Sequence, residues 1–150
     1  MFALLAVGLL VTLVVAIVGW FRPVPAKPPP APVYSSQQVA DAKTKVCAAY
    51  KQVRKALDAA GAREVGNDPT ASLAVATASR QALDAGSRYL LTKLTEEPAT
   101  NPDLATAVRK LADIYQEITV SYLANASDSE INPLRQEAEQ PTAAIDDLCK

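Results

Sequence analysis

The sequence contains no histidine, and that absence removes the commonest general base and the commonest metal ligand together. Aromatic residues make up only 5% of the chain, so a core must come from aliphatic and small side chains. The two cysteines, Cys47 and Cys149, allow a single pairing. Without a histidine they supply half of a tetrahedral zinc shell. No charge sign dominates either: 15 basic against 16 acidic residues leave a formal net charge of -1, which lacks the basic excess of nucleic-acid binding. The five glycines are scattered and form no phosphate-binding loop.

What remains offers little chemistry. The carboxylate doublets Glu96-Glu97 and Asp146-Asp147 are adjacent in sequence. On a helix such neighbours point about 100° apart and cannot face each other as an acid/base pair. No Glu-x-x-His occurs, which excludes the di-iron chemistry known in helical bundles. No Gly-x-Ser-x-Gly is present to carry a nucleophile. Tyr34, Tyr50, Tyr89, Tyr115 and Tyr122 fall mostly at core-facing helical positions and read as packing residues with a polar tip. The sequence therefore predicts no catalytic site, no cofactor and no metal, and the chain is read as a non-enzyme.

One long apolar run is present. Phe2 to Phe21 is interrupted only by Gly8, Thr12 and Gly19 and carries no charge. A bilayer core of ~30 Å takes ~20 helical residues, so residues 2–21 are expected to cross the lipid once. Trp20, Phe21 and Arg22 then form a membrane-interface anchor, two amphipathic rings and a cation at headgroup level. A cleaved signal peptide is the competing reading. It would show a shorter apolar region, a preceding positive charge and a small-x-small site, none of which fits. Pro23 to Val33 reads PVPAKPPPAPV, six of the eleven prolines of the chain. It predicts a polyproline II spacer reaching about 35 Å. A proline-motif ligand is the weaker alternative there.

From Tyr34 onward the pattern is helical. Ser35 with Gln38 has the form of a capping box. Asp68-Pro69, Asn101-Pro102 and Asn132-Pro133 each place a capping side chain before a proline. Apolar residues follow the helical period in every interval. The stripes are Val39, Val46, Tyr50, Val53, Leu57 and Ala60 in the first; Leu73, Ala76, Leu83, Leu90 and Leu94 in the second; Leu104, Val108, Leu111, Tyr115, Ile118 and Tyr122 in the third; and Leu134, Ala138, Pro141, Ile145 and Leu148 in the fourth. Pro141 is expected to kink or end the last helix. Each interval holds one helix without a repeated motif, which argues against a helical-repeat solenoid. The expected fold is all-α: a transmembrane anchor over 1–22, a proline-rich linker over 23–34, and an antiparallel four-helix bundle over 35–150.

In such a bundle the start of the first helix and the end of the fourth share a pole, where Cys47 and Cys149 can approach the ~5.5 Å Cα spacing of a disulfide. Two unrelated thiols are the alternative, Cys47 packed as a small apolar residue and Cys149 at a frayed helix end. Opposite charge excesses favour the same neighbours. The first helix carries Lys43, Lys45, Lys51, Arg54 and Lys55, and the last segment carries Glu130, Glu137, Glu139, Asp146 and Asp147. Orientation draws on conflicting signals. The positive-inside rule places Arg22 and Lys27 in the cytoplasm, but folded domains translocate largely regardless of nearby charge. A disulfide implies an oxidising compartment. The bundle is thus expected outside the cytoplasmic membrane.

The order of apolar anchor, Trp20-Phe21-Arg22-Pro23, proline stalk, YSSQQVADAKTKVCAAYKQV (Tyr34 to Val53) and Asp147-Leu148-Cys149 resembles a group of alanine- and proline-rich single-pass membrane proteins of mycobacteria. The likeness spans most of the chain, and its specific element is the Gln-Val-Ala-Asp-Ala-Lys…Val-Cys segment. It implies a cell-envelope location more than an activity. By analogy, proteins of this build serve as accessory subunits of envelope machines, the Mce-type lipid importers among them. The sequence reading is accordingly a non-catalytic accessory or scaffold subunit whose partners are other membrane-protein subunits. The alternative is a membrane-tethered lipid- or small-ligand-binding helical domain, which requires an apolar cavity between helices.

Overall fold

The computed structural model describes residues 8, 12–14, 17, 32–62 and 68–150. It divides the chain into two units, 1–33 and 34–150. In the first, the described residues Gly8, Thr12, Leu13, Val14 and Ile17 are helical and exposed. The remainder of the expected 2–21 span, the Trp20-Phe21-Arg22 anchor and most of the 23–34 linker lie outside the described residues. Among the described residues no helix is long and apolar enough to cross a membrane.

The second unit is a helical bundle of α1 (Ser36–Gly61), α2 (Pro69–Glu96), α3 (Pro102–Leu123) and α4 (Asp128–Leu148). The first three start where their caps predict. Ser35 Oγ accepts from the Gln38 amide at 3.2 Å while Gln38 Oε1 accepts from the Ser35 amide at 2.8 Å. Asp68 Oδ1 takes the Thr70 amide and Asn101 Oδ1 takes the Asp103 amide, each at 2.8 Å. The prolines after both caps cost nothing, because a helix's first amides have no internal acceptor.

α4 corrects the expected start at Asn132-Pro133. It begins a turn earlier, at Asp128, where the Glu130 carboxylate accepts from the Ser127 amide at 2.8 Å and from the Ser127 hydroxyl at 2.6 Å. Pro133 is thereby the sixth helical residue and leaves one carbonyl without its amide. Ile131, outside the expected stripe, is fully buried as a result. Pro141 does not end α4 either; it is buried within a helix that continues to Leu148.

Cross-helix contacts fix the directions. Lys45 meets Glu97, Gln52 meets Tyr89, and Val53 packs on Gly86, so residues early in α1 face residues late in α2. Ser87 bonds Ala112 and Arg80 lies over Tyr122 between α2 and α3. Lys110 reaches Glu137, and Tyr122 meets Arg135, between α3 and α4. Successive helices therefore run oppositely. Backbone packing along the helix length joins α1 to α2, α2 to α3 and α3 to α4.

The main core comprises Val46, Tyr50 and Val53 of α1, Leu90 and Leu94 of α2, Leu104, Val108, Leu111 and Tyr115 of α3, and Ile145 of α4. A second cluster joins Ile114 and Ile118 to Ile131. The expected α2 stripe is corrected at its beginning. Leu73 is 65% exposed, and the buried residues of α2 are confined to Gly86, Ser87, Leu90 and Leu94. Register explains this. Continued at helical pace from the Val53–Gly86 and Arg80–Tyr122 contacts, the ends of α1 and α3 fall level with about residue 79 of α2. The first turns of α2 overhang them.

Candidate functional site

The two residues singled out for a covalent role are brought together. Cys47 and Cys149 form a disulfide with a Cα–Cα distance of 5.6 Å, linking α1 to the residue after α4. Cys47 is buried and Cys149 half-buried. The bond spans 102 residues of sequence. It closes the seam between the first and last helices, which lack the extended backbone packing of the consecutive pairs. The expected charge match contributes one ion pair to that seam, Arg54 with Asp146 at 3.9 Å, both half-exposed. Other members pair elsewhere. Lys45 binds Glu97 at 2.7 Å and Glu137 binds Lys110 at 3.3 Å. Such exposed pairs contribute ~0–1 kcal/mol each.

The carboxylate doublets are engaged by cations. Glu96 meets Lys93, Glu97 meets Lys45, Asp146 meets Arg54, and Asp147 meets Lys150. Among the described residues no group of three or more cysteine, aspartate and glutamate side chains is arranged to hold a metal ion. Tyr50 and Tyr115 are core residues, and burial pushes both phenols up, Tyr115 to about 12. Tyr50 also accepts from Arg54 at 3.0 Å. Tyr89, expected beside the core stripe, sits at the surface instead, within 3.4 Å of Gln52.

Two features were invisible as patterns in the sequence. One is a set of exposed apolar side chains, on the overhanging first turns of α2 and near the end of α3. Residues 69–79 carry no charge, and Leu73, Val120 and Leu123 are 65%, 63% and 69% exposed. An open groove of about 460 Å³ between α2 and α3 is lined by Arg80, Asp84, Gln116, Thr119, Val120 and Leu123 among others. Arg80 stacks on Tyr122 with its guanidinium carbon 5.4 Å from the ring centre, and its buried Nε finds no acceptor among the described residues. The second is the disulfide groove, about 320 Å³, lined by Lys43, Lys51 and Lys150 together with both cysteines. A smaller groove of about 250 Å³ lies between α3 and α4 near Lys110 and Pro141.

Comparison with known proteins places no relative beside this arrangement: no family model, no curated protein and no solved structure matches the chain.

Proposed function

We propose that the chain is a non-catalytic, single-pass accessory or scaffold subunit of a cell-envelope membrane complex, with a lipid-transport machine of the Mce type as the candidate assembly. Residues 2–21 serve as the bilayer anchor, 23–34 as the spacer, and the bundle engages other membrane-protein subunits outside the cytoplasmic membrane. The observation that carries this reading is the uncharged overhang of α2, on which Leu73 is exposed, together with the exposed Val120 and Leu123 near the end of α3. An uncharged, uncovered helix surface with large apolar side chains is the kind of surface a partner covers. The disulfide supports the oxidising side of the membrane.

Affinity purification of the full chain from native membranes tests this. The proposal expects co-recovery of membrane subunits in fixed ratio, lost in Leu73→Glu and Leu123→Glu variants that keep their helical content. Recovery of the chain alone, or undiminished recovery with both variants, refutes it.

One observation favours a second reading, the membrane-tethered ligand-binding domain. The α2–α3 groove places the Arg80 cation beside Val120 and Leu123, with Asp84, paired to Arg88, also on its lining; the combination suits a polar group carrying an apolar tail. A lone chain that carries extractable lipid, lost in Arg80→Gln, establishes that reading instead.

A further inference from the structure

We propose that the groove over Cys47–Cys149 is a thiol–disulfide exchange site for small anionic thiols, and that exchange there opens the seam between α1 and α4. This inference does not depend on which partner the bundle contacts. Three observations carry it. The disulfide is reachable, since both cysteines line an open groove of about 320 Å³ and Cys149 is only half-buried. The groove is cationic. Lys43 and Lys51 stand one helical turn before and after Cys47, and Lys150 follows Cys149 directly. Lys51 has no ion pair among the described residues, Lys43 reaches only the backbone oxygen of Lys150 at 3.5 Å, and Lys150 is held by Asp147. Finally, the bond is the covalent tie across its seam, whose polar contacts are the half-exposed Arg54–Asp146 ion pair and the Lys43–Lys150 contact.

The chemistry balances as an ordinary exchange. An incoming thiolate attacks the Sγ of Cys149, the less buried of the two residues; a mixed disulfide forms and Cys47 leaves as thiolate. Lys43 and Lys51 flank that departing charge, and a better-stabilised leaving thiolate leaves faster. A second thiolate attacks the incoming sulfur of the mixed disulfide and releases Cys149 as thiolate. Two external thiolates are thereby oxidised to one disulfide while the protein gains two electrons. Positive potential in the groove also concentrates attackers that carry extra negative charge, an effect that salt screens.

Release of the bond then acts on the helix with the fewest buried residues. α4 buries only Ile131, Pro141 and Ile145 among its described residues and contains two prolines. α3, by comparison, buries eight. Opening the seam exposes Ile145 together with the Val46–Tyr50 face of α1 against which the core closes.

The test uses the full chain in detergent micelles, with exchange followed by alkylation and mass measurement. Glutathione supplies an anionic thiol and 2-mercaptoethanol a neutral one. At low ionic strength Lys43→Gln/Lys51→Gln is expected to slow glutathione about fivefold more than 2-mercaptoethanol, and ~1 M salt is expected to erase that difference. Equal slowing of both thiols, no slowing, or exchange that proceeds only in denaturant overturns the site. Hydrogen exchange of the reduced chain tests the seam. Loss of protection confined to α4 and the facing residues of α1 supports it, whereas an unchanged pattern or loss across the whole bundle overturns it. A Cys47→Ser/Cys149→Ser variant must reproduce the reduced pattern without any thiol present, and failure to do so also counts against the proposal.

Discussion

Gly86 and Val53 hold α1 and α2 together at a distance that only a missing side chain permits: a Cβ on residue 86 would stand 2.6 Å from Val53 Cγ1. Val53 is buried, and a β-branched side chain in a helix has essentially one rotamer, so its methyl cannot swing away. Gly86→Ala sets a helix-propensity gain of ~1 kcal/mol against an overpacking cost of ~1–3 kcal/mol. The expected net result is destabilisation, read as a lower midpoint in urea. Val53→Ala should restore part of the loss when combined with it, because the clash disappears. A Gly86→Ala variant more stable than the parent, or strict additivity of the two changes, removes this account of the α1–α2 contact.

The next residue serves the other neighbour. Positions 86 and 87 point about 100° apart on a helix, so Gly86 meets α1 while Ser87 turns to α3. Ser87 is fully buried and its hydroxyl donates to the Ala112 carbonyl at 2.8 Å. Ser87→Ala should cost ~1 kcal/mol through the lost bond. Ser87→Val should cost more, since it also inserts methyl groups between two close backbones. Equal stability of the serine and valine proteins in denaturant titration is the outcome that contradicts this.

These two positions also mark the limit of what the sequence makes legible. Helix starts are local events, and Ser35–Gln38, Asp68–Pro69 and Asn101–Pro102 each announce one within a few residues. The fourth start was obscured because Asn132-Pro133 has the same form as two genuine caps, while the effective signal, Ser127 with Glu130, lies five residues earlier. The cysteine pairing was readable because an even number of alternating helices brings Cys47 and Cys149 to one pole. Gly86 and Ser87 look like weak helix formers until the neighbours at 53 and 112 are known. The overhang at Leu73 depends on the lengths of three helices at once. Charge matching is met at one pair, Arg54 with Asp146, while Lys45 bonds Glu97 rather than α4. Long flexible side chains choose among several carboxylates within reach.

The start of α4 gives a pH signature. Hydrogen bonds from the Ser127 hydroxyl and then the Ser127 amide hold the Glu130 carboxyl below its ordinary value of 4.5. A depressed folded-state pKa contributes stability that is present above the unfolded value. That stability is lost as pH falls through the lower folded value. Fraying of the first turn of α4 should therefore begin as pH drops below about 4.5 and progress downward. Glu130→Gln should flatten that acid limb while keeping an acceptor for the Ser127 amide. Amide exchange or chemical shifts at Ser127 and Ile131 report it directly, and an acid limb identical in both proteins rules the linkage out.

At the alkaline end the sign reverses. Burial, followed by the neighbouring Tyr50, pushes the Tyr115 phenol from 10.0 up to about 12. The phenol gains its proton preference on folding, so its contribution is fully present below pH 10. It is lost as pH rises toward 12, where the unfolded chain ionises and the buried phenol still resists. Across that window the loss amounts to ~2 kcal/mol for this one group. Tyr115→Phe removes the titrating group and should leave a shallower decline in unfolding free energy between pH 10 and 12. Tyr50→Phe provides the control. Its phenol is raised by burial first and by Asp146 next, while Arg54 opposes the shift and leaves it smaller, so its removal should change the alkaline slope less. Parallel titration of both variants by ultraviolet absorbance and urea unfolding decides the matter. A Tyr115 that ionises near pH 10 in the folded chain would show that water reaches the phenol and that the α1–α3 contact around it is looser than the burial of Tyr50, Val108 and Leu111 requires.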